Sequence, residues 1–199
     1  RPKLCYFFGQ SVDSDFDLLA DVAVCGEFIH SASLLHDDVI DNGTLRRGVE
    51  TVNVKWDPLT AVLAGDLLLA ESIKGLERCP RRVAHEALTV VADMTRATML
   101  EAHVRGQTNV SLKQWHYVAD GKTASMFRWC GRAAAQLSND DNAIQPFGEF
   151  GTHFGRAFQM ADDLLDLQAS ASGKTQFADI RNKNPSYPII LACEHSSAF

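Results

Sequence analysis

A chain of 199 residues, 46% of them hydrophobic, can bury one sizeable core and reads as a single domain over residues 1–199. A net charge of −6, with basic residues scattered apart from pairs such as Arg46–Arg47 and Arg81–Arg82, argues against a nucleic-acid partner. Five widely spaced cysteines (Cys5, Cys25, Cys79, Cys130, Cys193) form no CxxC and fit the reduced thiols of a cytoplasmic protein better than a disulfide frame.

No uninterrupted apolar run reaches the roughly 20 residues of a transmembrane segment, and no signal peptide opens the chain. It starts at Arg1-Pro2 and stops at Phe199 with a helix in progress, so it reads as a piece of a longer protein.

Helical patterns dominate in chain order. Asp15 to Asp41 has no proline and carries apolar residues at three- and four-residue spacing. Thr60 to Glu77 follows Asp57-Pro58, and a long helix runs from Pro80 to Gln107. Further helices are expected over Ser111 to Leu137, over Asn142 to Gln168, and in a short resumption from Pro185. Strict alternation of β-branched residues is scarce, so no sheet is expected; the pattern predicts an all-α bundle.

Two acidic clusters stand out, HDDVID ending at Asp41 and ADDLLD ending at Asp166. Residues four apart share a helix face, so Asp37 and Asp41 point one way, as do Asp162 and Asp166. Like charges at that spacing repel, and both clusters sit near a helix C-terminus, where the macrodipole disfavours anions. One such cluster is ordinarily a solvated helix end. Two copies of D-D-x-x-D, each closing an apolar helix, call for an outside partner, and carboxylate oxygens suit Mg²⁺ shared with substrate phosphates. The His36-Asp37 pair also invites comparison with metal-dependent phosphohydrolases, but His30, His85 and His103 form no matching set.

These residues resemble the trans-isoprenyl diphosphate synthases, or polyprenyl synthetases. The resemblance spans nearly the whole chain: HDDVIDNGTLRRG, the segment after it, RGQT at Arg105, GKTASMF at Gly121, FQMADDLLD and the later Gly173-Lys174 fall in the family's order. It implies an all-helical isoprenoid-synthase bundle around a central apolar cavity, with both acidic motifs at its mouth. It also implies head-to-tail elongation, in which an allylic diphosphate ionises and isopentenyl diphosphate attacks the cation. Departing diphosphate carries about three negative charges, and Mg²⁺ held by the acidic clusters lowers the barrier where that charge develops.

The resemblance assigns roles by position. Asp37, Asp41, Asp162 and Asp166 are expected at Mg²⁺, with three ions per site once substrate is bound. Asp38 and Asp163 support them through bonds to the ligands or bridging water, and Asp37, Asp38, Asp41, Lys122, Asp162 and Asp163 make up the expected catalytic set. Arg46, Lys122, Thr123, Gln159, Lys174 and Lys183 are assigned to the allylic diphosphate; Arg47, His30 and Arg1 are assigned to isopentenyl diphosphate. Taken alone, Arg46-Arg47 would be a solvated loop pair and His30 a core histidine; the clusters nearby change both readings. A homodimer is what the family implies.

The match departs from the family pattern in several places: the Gly-Lys-Arg expected just before Arg1-Pro2 is not in the sequence, and the connection from Asp166 to Gly173 is short. Phe177 stands where glycine is common, Asn184 falls at the usual lysine position beside Lys183, and Val110 replaces an aspartate of many relatives. Product length depends on what blocks the cavity below the first motif. Ser33 and Ala32, four and five residues before Asp37, are small, so a product longer than fifteen carbons is expected, with Phe28 a further turn down as a cap. The rival readings are a class I terpene cyclase, a non-catalytic partner subunit of a prenyl synthase, and a plain acidic metal-binding bundle. A cyclase would lack the Arg-Arg-Gly and Lys-Thr elements, and a partner subunit tends to lose its aspartates.

Overall fold

The computed structural model describes residues 1–138, 140–167 and 177–195, so Lys174 lies outside the described residues. Its main helices are α1 (Pro2–Ser11), α2 (Phe16–Ile40), α3 (Val52–Lys55), α4 (Pro58–Gly75), α5 (Arg81–Val104), α6 (Leu112–Ala119), α7 (Ser125–Gln136), α8 (Ile144–Leu167), α9 (Ala178–Asn182) and α10 (Tyr187–His195). Local chemistry sets several starts. Asp15 accepts from the Asp17 and Leu18 amides at the head of α2, and Asp57 accepts from Thr60 N at α4, whose first residue is Pro58. Ser111 and Gln114 close a reciprocal capping box on α6.

The all-α expectation holds with one local exception. Leu45–Arg46 pairs antiparallel with Val49–Glu50 as the hairpin β1–β2. Its two-residue turn, Arg47-Gly48, has φ of +53° and +78°, the left-handed pair that a tight hairpin needs. Two-residue strands are too short to show alternation, so periodicity did not reveal them.

The region expected as one helix over Ser111 to Leu137 is interrupted. Between α6 and α7 the backbone widens into a π turn over Asp120–Ala124. Gly121 permits it: a Cβ there would lie 2.6 Å from Ala97 Cβ and 2.7 Å from the Asp93 carbonyl oxygen on α5. Asp120, at the turn's start, is gripped by Arg156 of α8 at 2.6 and 2.7 Å.

The main core lies among α1, α2, α5 and α7. It encloses Val22, Ile29, Leu76, Val83, Met126 and Trp129, and the Trp129 indole donates to the Val83 carbonyl at 3.1 Å. α7 and α8 approach closely; a Cβ on Gly151 would sit 2.4 Å from the Phe127 carbonyl oxygen. A smaller core of Val104, Val110, Trp115, Ala119 and Ile190 supports the second acidic motif. Val110 is therefore part of this packing.

By length and composition alone, α2 is the one described helix long and apolar enough to cross a membrane, although Asp17, Asp21, Glu27, His30 and Asp37 interrupt its apolar run. In this fold it packs on α1, α4 and α7, and Leu19, Val22, Cys25, Ile29 and Ala32 are buried.

Candidate active site

Both acidic clusters lie in the last turns of their helices, Asp37 and Asp38 on α2, with Asp41 capping its end, and Asp162, Asp163 and Asp166 on α8. The π turn carries Lys122 between them. Its Nζ lies 3.5 Å from Asp37 Oδ2 and 2.5 Å from Glu101 Oε2, while its side chain lines a cavity shared with Asp162 and Asp163. Burial alone would lower the Lys122 pKa, but the charges of Asp37 and Glu101 outweigh it and hold the ammonium protonated. For Asp37, burial dominates and pushes the carboxyl upward, with Lys122 opposing.

The clusters divide into two kinds of aspartate. Asp38 is buried and receives a fork from Arg46: Nε at 3.1 and 3.0 Å to its two oxygens, and Nη2 at 2.7 Å to Oδ1. Asp163 is likewise buried, accepting from Trp115 Nε1 at 2.8 Å, Gln159 Nε2 at 2.9 Å and the Tyr187 amide at 2.8 Å. Burial raises its pKa against these three bonds. Asp38 and Asp163 thus anchor their surroundings, Asp38 through Arg46 and Asp163 through Trp115, Gln159 and the Tyr187 amide. Arg46, expected on the allylic diphosphate, spends its fork on Asp38.

The remaining four aspartates are arranged differently. Asp41 Oδ1 meets Arg105 Nη2 at 2.5 Å, Asp37 faces Lys122, Asp162 lines the cavity, and Asp166 Oδ2 accepts from the Asp179 amide at 3.1 Å. This oxygen-only set fits a hard divalent cation. Among the described residues, no three carboxylate, imidazole or thiol groups converge tightly enough to hold an ion alone. Asp37, Asp41, Asp162 and Asp166 are the groups whose oxygens would hold such a cation with further ligands from outside the protein.

Thr123 donates to Gln159 Oε1 at 2.8 Å, and Gln159 in turn donates to Asp163, so the Lys-Thr pair and the glutamine form one connected wall. His30 sits under the influence of Arg1 and Arg47. Its pKa is pushed down to about 4 by burial first, then by those two guanidinium groups. Burial also lowers Arg1, whose guanidinium lies 5.6 Å from the Phe127 ring centre. Arg1, which precedes α1, and Arg47, in the hairpin turn, thus both act by charge on His30 of α2.

Lys183 is exposed with φ of +58°; it is Asn184 that enters the cavity wall, accepting from Arg105 Nε at 3.0 Å. Glu101 and Arg105 were not assigned roles from sequence. A signal for Glu101 existed: an acid in the last turn of α5 opposes the helix dipole, the same argument that marked the aspartate clusters.

A second, mostly apolar cavity of ≈ 170 Å³ opens beside Asp37 and is lined by Ile29 and Ser33 of α2, Leu69 of α4, and Val91, Met94 and Met99 of α5. His36 lies at its rim, 3.2 Å from the Val62 carbonyl oxygen, and the lack of a side chain on Gly65 makes room for its ring. Ser33 lines this space as expected. Ala32 does not: it is fully buried within the packing of α2, and Phe28 is not part of the wall either. One residue along a helix turns the side chain by about 100°, which separates Ala32 from Ser33.

The family model described as Polyprenyl synthetase matches residues 1–198. The chain is 30% identical over 200 residues to the all-trans-nonaprenyl-diphosphate synthase (geranyl-diphosphate specific) of Rhodobacter capsulatus, covering 98% of this chain and 62% of that protein. It is 31% identical over 206 residues to the octaprenyl diphosphate synthase of Haemophilus influenzae, covering 100% of this chain and 61% of the relative. Its fold superimposes with a TM-score of 0.92, at 28% identity, on the polyprenyl synthase of Caulobacter crescentus complexed with calcium and isoprenyl diphosphate, covering 99% of this chain and 61% of that one. It thus spans about three fifths of the length of these relatives. A family model that matches residues 1–198, together with relatives 30% and 31% identical over almost the whole chain, shows that the chain belongs to the polyprenyl synthetase family.

Proposed function

We propose that this chain carries the active site of a Mg²⁺-dependent prenyltransferase that joins isopentenyl diphosphate head to tail with an allylic diphosphate, giving a polyprenyl diphosphate longer than fifteen carbons. One observation carries the reading. Asp37 stands at a junction, facing Lys122 and the polar wall on one side and lining the apolar cavity on the other. An amphiphile with a diphosphate head and a hydrocarbon tail matches that junction.

Bound at Asp37, Asp41, Asp162 and Asp166, three Mg²⁺ ions would supply positive charge against the departing diphosphate. Lys122 and the Thr123–Gln159 pair orient the allylic head group at the mouth. His30, Arg1 and Arg47 hold the second diphosphate. The apolar wall excludes water from the cation. The lengths of the nonaprenyl and octaprenyl relatives favour a long product, as does small Ser33 in the wall.

A homodimer belongs to this reading. Leu59, Leu63 and Leu67 form an exposed row at four-residue spacing on α4, an apolar face suited to a second copy. The test is incubation of the protein with labelled isopentenyl diphosphate and ten-, fifteen- or twenty-carbon allylic primers, with and without Mg²⁺, followed by product sizing. Elongation only with both substrates and metal supports the proposal. Turnover of an allylic diphosphate alone would mark a cyclase, and no turnover under any condition would mark a non-catalytic subunit.

A further inference from the structure

Arg105 is the first residue beyond α5 and bridges two distant parts of the chain. Its Nη2 donates to Asp41 Oδ1 at 2.5 Å and its Nε donates to Asn184 Oδ1 at 3.0 Å. The next residue, Gly106, gives its amide to the Lys183 carbonyl at 2.8 Å. From Asn184 the connection continues: its amide donates to the Asp179 carbonyl at 2.8 Å, and the Asp179 amide donates to Asp166 Oδ2 at 3.1 Å. A single guanidinium therefore stands in a chain of hydrogen bonds running from the first acidic cluster to the second.

We propose that Arg105 is a positioning residue, an internal counter-cation that competes with the divalent metal for Asp41 and links that competition, through Asn184, to the segment behind the second cluster. The inference rests on the reading of Asp41 as a metal ligand. A hard cation binds a carboxylate oxygen directly, and the oxygen that Arg105 holds is one of only two that Asp41 can offer. Arginine does not deprotonate in proteins, so it leaves the carboxylate only by moving away. Two cations cannot share Asp41 without mutual repulsion. Metal occupancy therefore displaces the guanidinium and releases its grip on Asn184. Arg105 is about one quarter exposed, so it has room to turn, and its fork matches phosphate oxygens once freed.

A simpler role also has to be tested. A cation at the end of α5 stabilises the helix dipole, and Arg105 could be no more than that. The two roles separate through metal affinity. With Mn²⁺ as the probe, binding to the full chain is measured by electron paramagnetic resonance in the presence of inorganic pyrophosphate, for the wild type, R105Q and R105K. Removing one competing charge at a partly exposed site should tighten Mn²⁺ binding about five- to tenfold in R105Q. R105K keeps the charge and should stay within about twofold of the wild type. In a D41N background, R105Q should bring no gain. Equal affinity of the wild type and R105Q, with circular dichroism showing both folded, overturns the proposal, and so does an equal change in R105Q and R105K. The wild type supplies a readout independent of any variant's folding: Mg²⁺ with pyrophosphate should shift the Arg105 Nε–H resonance in ¹⁵N spectra, and an unmoved signal at saturation refutes displacement. Should the wild type bind no Mn²⁺ even with pyrophosphate, the metal reading itself fails, a result distinct from metal binding that ignores Arg105.

Discussion

Arg46 holds Asp38 by a fork, its Nη2 reaching Oδ1 at 2.7 Å and its Nε lying 3.0 Å from Oδ2, so the first arginine of the pair braces the first acidic motif from within. The bond ties hairpin β1–β2 to the end of α2 and leaves Arg47, in the turn, facing the His30 and Arg1 side of the site. The Arg46 side chain is 41% exposed, which screens the pair.

A double-mutant cycle with D38N and R46Q should therefore show a coupling of about 1 kcal/mol in unfolding free energy. Both single variants should raise the KM for the allylic diphosphate more than they lower kcat, because they loosen the hairpin rather than the reacting atoms. Denaturant titration with steady-state kinetics checks this. Additive single effects would show that the fork contributes nothing.

The cavity wall distinguishes two neighbouring substitutions. S33F puts a ring into the apolar space and should shorten the product while leaving the fold intact. A32F places the same ring in filled packing and should cost about 1–3 kcal/mol of stability by overpacking. Product sizing and thermal melting separate the two. An unchanged product distribution in S33F would remove this cavity as the path of the growing chain.

His30 makes stability acid-sensitive. Its folded pKa, near 4 through burial and the guanidinium groups of Arg1 and Arg47, lies below the ordinary 6.5, so the unfolded chain binds the extra proton first. This contribution to stability is fully present above about pH 6.5 and is lost as pH falls toward 4. H30Q should cancel it. Relative to wild type, the variant should gain on the order of 2 kcal/mol between pH 7 and pH 4.5 in urea unfolding. A difference between the two proteins that stays constant with pH would show that His30 is not held neutral.

Phe177 carries a large side chain at φ of +57°, a left-handed conformation that costs a non-glycine residue roughly 1–2 kcal/mol. Resemblance to relatives places glycine there, and the backbone gives the reason. F177G relieves the strain but adds freedom to the unfolded chain, so a net stabilisation of about 0.5–1 kcal/mol is expected in thermal or urea unfolding. A destabilised F177G would mean that the ring contributes packing worth more than the strain.

Much of this protein could be read from one dimension. Helix periodicity, the caps at Asp15 and Asp57, and the acids misplaced at the ends of α2 and α8 are local features, set by neighbours within four residues. They were sufficient to expect an all-α fold and two acidic helix ends. Even Glu101 left such a mark. Hairpin β1–β2 and the π turn left almost none, since a two-residue strand has no period and a widened turn depends on how closely Gly121 meets α5.

Tertiary structure decided how the charges are shared. Six aspartates look alike in sequence, yet packing commits Asp38 to Arg46 and Asp163 to Trp115, Gln159 and Tyr187, while Asp37 and Asp41 face Lys122 and Arg105. It also chose Ser33 over Ala32 for the cavity wall. The physical reason is that a carboxylate's role depends on which donors and how much water surround it, and those donors arrive from segments up to 64 residues away along the chain for Asp41 and 48 for Asp163.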